Sequence, residues 1–299
     1  MNRIVYVPGK NPKPRPREHK SQLWRCLLAG VQHANPGVAD QLHQHKESLH
    51  LVPWNHRYYG RYKPIEEDLP WIDVLLEKPG PSGQDKHEAD HWRNKSARIL
   101  YSLVDQLHFL INLIPDPALR ASIKDTEHYF FNLKECADSV REILKEALRK
   151  MFSADDRILL IGHSMGSIIA WDSLWELWHG EENPGRVDLF LSLGSPLGMR
   201  YVRERLLGAR AGLEYRYPGN IKQWINIASV GDLTALDRGV RNDYRKMEKL
   251  GLVDSIRDEY KDVYNWFRNE KGLNVHRSYG YLANPDVGKA IADWWQRGQ

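Results

Sequence analysis

The segment Gly162-His163-Ser164-Met165-Gly166 constrains the fold of this chain more than any other. Composition alone produces a Gly-x-Ser-x-Gly pattern in roughly one chain in ten of this length, so its flanks decide its meaning. Before it stands Arg157-Ile158-Leu159-Leu160-Ile161, which reads as a buried strand. After it, Ser167-Ile168-Ile169-Ala170-Trp171 opens a helical pattern that runs on through Leu174 and Trp178. A serine on so sharp a strand-to-helix turn needs the two flanking glycines, because only residues without Cβ let strand and helix approach closely. Its hydroxyl then projects at a helix N-terminus, where the dipole and unsatisfied N–H groups favour negative charge. The bland alternative is a Gly-rich βα turn with a capping serine.

The rest of the chain repeats this alternation. Short apolar runs at 4–7, 49–54, 157–161, 187–193 and 223–228 each end in turn residues, and helical patterns lie between them, notably at 133–152. Strand, helix, strand predicts an α/β fold with a mostly parallel sheet covered by helices on both faces. Residues 57–131 break the pattern. Turn clusters at Lys78-Pro79-Gly80-Pro81-Ser82-Gly83 and Pro115-Asp116-Pro117 separate helical stretches, which predicts a helical cap or lid inserted within a single domain spanning 1–299. Within it, apolar positions from Tyr101 to Ile114, including Leu107 and Leu110, suit either a wall of the substrate pocket or the cap's own core. Asn284-Pro285 predicts the N-cap of a closing helix.

Composition removes several classes. With 11 Trp and 14 Tyr in 299 residues, the chain can bury a large core and still line an apolar pocket. A formal net charge of +4, from 43 basic and 39 acidic residues, is small for a nucleic-acid binder. Cys26 and Cys136 stand far apart without a CxxC pattern, so reduced thiols in a cytoplasmic protein are expected. The N-terminus lacks an apolar leader and no window has the length of a membrane span. His43, His45 and His50 lack a carboxylate partner, so no metal is assigned, and no cofactor is expected.

A serine nucleophile needs a base, and the base an orienting carboxylate. Of 13 histidines only His276 follows the fifth apolar run. Asp232 stands just after that run in Ser229-Val230-Gly231-Asp232, with Asp237 in reserve, which gives the order Ser164, Asp232, His276. Ser195, in Gly194-Ser195-Pro196-Leu197-Gly198, is a rival serine without the elbow spacing.

With Val5-Tyr6-Val7-Pro8-Gly9-Lys10, Gly162 to Gly166, Leu193 to Leu197, Val230-Gly231-Asp232 and His276 in place, the chain resembles the lipase and serine-esterase branch of the α/β-hydrolase superfamily. The resemblance covers about half the chain and leaves the cap unmatched. It implies the α/β-hydrolase fold and an oxyanion hole made by the Met165 N–H and one from the loop after the first strand, at Lys10 or Gly9. It further implies hydrolysis of a small-molecule carboxylic ester, lipid-like in one version, through an acyl-enzyme on Ser164, while the apolar 101–114 stretch, the many aromatics and the lack of a secretion signal lead us to expect short to medium acyl chains. His163, Trp54, Leu107 and Leu110 are the expected substrate-binding residues. The same triad would serve an acyltransferase or a thioesterase, and a catalytically silent binding protein would keep the fold alone.

Overall fold

The computed structural model describes residues 1–91, 126–132, 135–233, 235 and 239–298. Six strands pair in the order β2-β1-β3-β4-β5-β6, every neighbour parallel. They are β1 (Asn2–Val7), β2 (Leu49–Leu51), β3 (Arg157–His163), β4 (Val187–Leu193), β5 (Ile221–Ile227) and β6 (Ser255–Glu259). The main helices are α1 (Pro16–Ala34), α2 (Pro36–His43), α3 (Trp54–Tyr59), α4 (Leu69–Glu77), α5 (Gly83–His91), α6 (Cys136–Ser153), α7 (Met165–Trp175), α8 (Arg241–Lys249), α9 (Ser278–Ala283) and α10 (Pro285–Gln296). A two-stranded hairpin of β7 (Arg268–Asn269) and β8 (Gly272–Leu273) precedes α9.

The strands read as unbroken apolar runs because both faces of the sheet are covered. Ile4, Tyr6, Leu159, Ile161, Leu189 and Leu191 face a core completed by Leu23, Leu27 and Val31 of α1 and by Ile291 and Trp294 of α10. Their neighbours Val5, Val7, Ile158, Leu160 and Phe190 face the opposite core, with Val140, Leu144 and Leu148 of α6 and Ile168 and Trp171 of α7. Ile72 and Leu75 of α4, inside the 57–131 stretch, pack into the first of these cores.

Beyond shifts of one or two residues at other ends, three elements depart from the sequence reading. The run at 49–54 stops being a strand at Leu51, because Pro53 has no N–H for the ladder and Trp54 already opens α3. The helix expected over 133–152 begins at Cys136. Strand β6, Ser255-Ile256-Arg257-Asp258-Glu259, has no apolar run to mark it in the sequence, since at the edge of the sheet only Ile256 is buried.

β2 lies on one side of β1 and β3 on the other, so the loops leaving β1 and β3 diverge at their C-terminal ends. In open α/β sheets such a reversal opens a crevice for ligands, and Ser164 stands in it.

Candidate active site

Ser164 follows the last residue of β3 and precedes the first of α7, with φ 53° and ψ −126°. A non-glycine residue held there stores roughly 1–3 kcal/mol of backbone strain, which neighbouring contacts must offset. Those contacts are visible. The Ser164 N–H donates to the Leu193 carbonyl of β4 at 2.9 Å, while its own carbonyl accepts from the Ser167 N–H at 2.9 Å and the Ser167 hydroxyl at 2.6 Å. The flanking glycines are required sterically: a Cβ on Gly162 would lie 2.7 Å from Ser167 Cα, and one on Gly166 would lie 2.2 Å from the Val7 carbonyl oxygen.

His276 comes to Ser164 from the turn between β8 and α9. Its Nε2 lies 2.9 Å from Ser164 Oγ and its Nδ1 2.8 Å from Asp232 Oδ2. With the proton on Nδ1, where the carboxylate holds it, Nδ1–H donates to Asp232 and Nε2 accepts from the Ser164 hydroxyl. Asp232 is buried, and its Oδ2 also accepts from the Tyr281 hydroxyl at 2.6 Å, which in turn accepts from the Ser229 N–H at 2.9 Å. The His276 turn is pinned twice. Asn274 Oδ1 accepts from the His276 N–H at 3.2 Å, and His163 Nε2–H donates to the His276 carbonyl at 2.9 Å. Burial, followed by the charge of His276, holds the His163 imidazole well below its ordinary pKa, so it stays neutral while it makes that bond.

The loop leaving β1 passes beside Ser164. A Cβ on Gly9 would lie 3.0 Å from Ser164 Cβ, and Lys10 follows it. Met165 opens α7, so its N–H belongs to the first turn, where N–H groups have no intrahelical partner. Trp54 is fully buried, and its indole N–H donates to the Pro8 carbonyl at 2.8 Å. A charged group flanks the loop: Asp68 pairs with Lys63 at 2.8 Å and with Arg277 at 2.5 Å. Desolvation, then the Arg277 charge, pushes Lys13 down to about 7. Ser195 is buried, its Oγ 2.7 Å from Ser167 Oγ and accepting from the Leu197 N–H.

Of the residues singled out in the sequence, Ser164, Asp232 and His276 come together, with Met165 next to Ser164 in the chain and Gly9, the residue before Lys10, close to the Ser164 side chain. His163 and Trp54 are buried and hold backbone carbonyls next to the site. Leu107, Leu110 and Asp237 lie outside the described residues. Sequence reasoning missed Tyr281 and Asn55. Tyr281 reaches Asp232 from 49 positions away and carries no local signal, whereas Asn55 adjoins Trp54 at the end of an expected strand, where α/β sheets place site residues. No protein-family model matches the chain, and no curated protein or solved structure matches it either.

Proposed function

We propose that this protein is a serine hydrolase of the α/β-hydrolase type that cleaves carboxylic esters. The observation that carries the reading is one relay: Ser164 Oγ at 2.9 Å from His276 Nε2, and His276 Nδ1 at 2.8 Å from the buried Asp232 carboxylate. Ser164 Oγ attacks the ester carbonyl carbon while His276 Nε2 takes the hydroxyl proton, and Asp232 stabilises the imidazolium. The tetrahedral oxyanion accepts hydrogen bonds from the N–H of Met165 and an N–H of the loop after β1. His276 returns the proton to the departing alkoxide, which leaves an acyl-enzyme. Water then attacks the acyl carbon, His276 again taking the proton, and the carboxylic acid departs as Ser164 is restored.

Within this reading the substrate is a small-molecule ester of short to medium acyl length. The many aromatic residues and the apolar 101–114 stretch support an apolar acyl site. Both cysteines are free thiols, Cys26 buried, which fits a reducing cytoplasm. Among the described residues no helix is long and apolar enough to cross a membrane.

A panel of p-nitrophenyl esters tests the proposal. Turnover should rise with chain length from acetate, each buried methylene contributing about 0.8 kcal/mol, and then fall once the site is filled. Ser164→Ala should abolish it with an unchanged far-UV spectrum. Equal hydrolysis by the wild type and Ser164→Ala would refute the reading.

A further inference from the structure

Every carbonyl from Pro8 to Asn11 is held by a side-chain donor. The Trp54 indole N–H takes the Pro8 carbonyl at 2.8 Å, the Asn55 amide takes those of Gly9 at 2.8 Å and Asn11 at 3.0 Å, and Lys13 Nζ takes that of Lys10 at 2.7 Å. Trp54 and Asn55 are consecutive, open α3 just beyond β2, and are both buried. The orientation of the Asn55 amide follows from its partners: both are carbonyl oxygens, so only its NH₂ group can face them.

A trans peptide directs its C=O and its N–H to opposite sides. Holding the Pro8 carbonyl therefore sets the direction of the Gly9 N–H, and holding the Gly9 carbonyl sets that of the Lys10 N–H. This matters because the peptides concerned flank a glycine, the residue with the most backbone freedom, directly beside Ser164. An oxyanion donor stabilises a transition state only if it already points at the position where charge develops.

Resting on the serine-hydrolase reading above, we propose that Asn55 and Trp54 are positioning residues that lock the loop after β1 with its N–H groups turned toward the oxyanion. Asn55, on the Gly9–Lys10 peptide, orients the Lys10 donor, and Trp54, on the preceding peptide, supports it. Neither touches substrate. In this chain a bonded pair from the neighbouring strand's end does what backbone rigidity cannot do at a glycine.

The test compares wild type, Asn55→Asp, Asn55→Ala and Trp54→Phe. Asn55→Asp keeps the shape but replaces the donor by a carboxylate facing two carbonyls, and Trp54→Phe keeps most of the ring while removing its N–H. Three quantities are read: kcat and KM on p-nitrophenyl butyrate, inhibition by a trifluoromethyl ketone whose serine adduct carries an oxyanion, and thermal midpoint. Both Asn55 variants should lose about 10- to 100-fold in kcat with KM within about twofold, since one oxyanion donor is worth roughly 10²–10³ in kcat. Affinity for the ketone should weaken in step, and Trp54→Phe should show the same pattern at about 3- to 10-fold. A purely structural role would lower the thermal midpoint without this parallel loss. Folded Asn55 variants with wild-type kcat, or a loss confined to KM, would overturn the proposal. If neither Asn55 variant folds, Trp54→Phe decides, and unchanged kcat and ketone affinity would overturn it. A wild type that neither hydrolyses the ester nor binds the ketone would instead bring down the serine-hydrolase reading, and this inference with it.

Discussion

A serine hydroxyl is a weak nucleophile at neutral pH, so the reading depends on what surrounds each of three side chains. Asp232 accepts from both His276 and Tyr281, which fixes the carboxylate oxygen that faces the imidazole. Asp232→Asn should lower kcat about 10⁴-fold, because the amide favours the wrong histidine tautomer. Tyr281→Phe should lower it about 10- to 100-fold, as a hydrogen bond to a charged group is worth roughly 1.5–3 kcal/mol. Steady-state kinetics on one ester check both, with Ser195→Ala retaining substantial turnover as the control for the rival serine. Ser164 and His276 were legible in the sequence because one sits in a local motif and the other has no competitor after Ala228. Asp232 was legible by its place after an apolar run. Tyr281 and Asn55 were not, because their roles exist only through contacts with residues distant in the chain.

Helix α7 carries Ser164 at one end and Asp172 at a buried position further along. The Tyr129 hydroxyl donates to Asp172 Oδ2 at 3.0 Å and the Leu207 N–H to Oδ1 at 2.9 Å, tying two other segments to this helix. Burial pushes the Asp172 carboxyl up from 3.8 to about 7. A carboxyl whose folded pKa is raised binds its proton more tightly in the native state, so its stabilising contribution is complete below about 4 and is lost as pH rises through about 7. Across pH 4–8 the wild type should therefore lose stability relative to Asp172→Asn, as urea midpoints at successive pH values would show. In α6, Leu144 is fully buried, and Leu144→Ala should cost about 2–5 kcal/mol by the same measurement. Elements such as α6 and β4 were readable because burial on one face, or on both, imposes a hydrophobic period. The edge strand β6 was not, since its exposed side chains follow solvent rather than a core.

Across the whole molecule, five of the six parallel strands and the two apolar cores on the sheet's faces follow from five short apolar runs alternating with helical patterns. The site forms where the strand order reverses, from loops leaving β1, β3 and β5 and the turn before α9. Its parts come from Gly9 to His276, so the constellation exists only in the folded chain. That dependence can be tested directly by treating the native protein with a fluorophosphonate, then mapping the adduct by mass spectrometry in wild type, Ser164→Ala and His276→Ala. One adduct per chain is expected on the peptide containing Ser164, none after urea unfolding or in Ser164→Ala, and labelling slowed by several orders of magnitude in His276→Ala. An adduct on Ser195, labelling that survives unfolding, or no adduct on the native wild type would contradict this expectation.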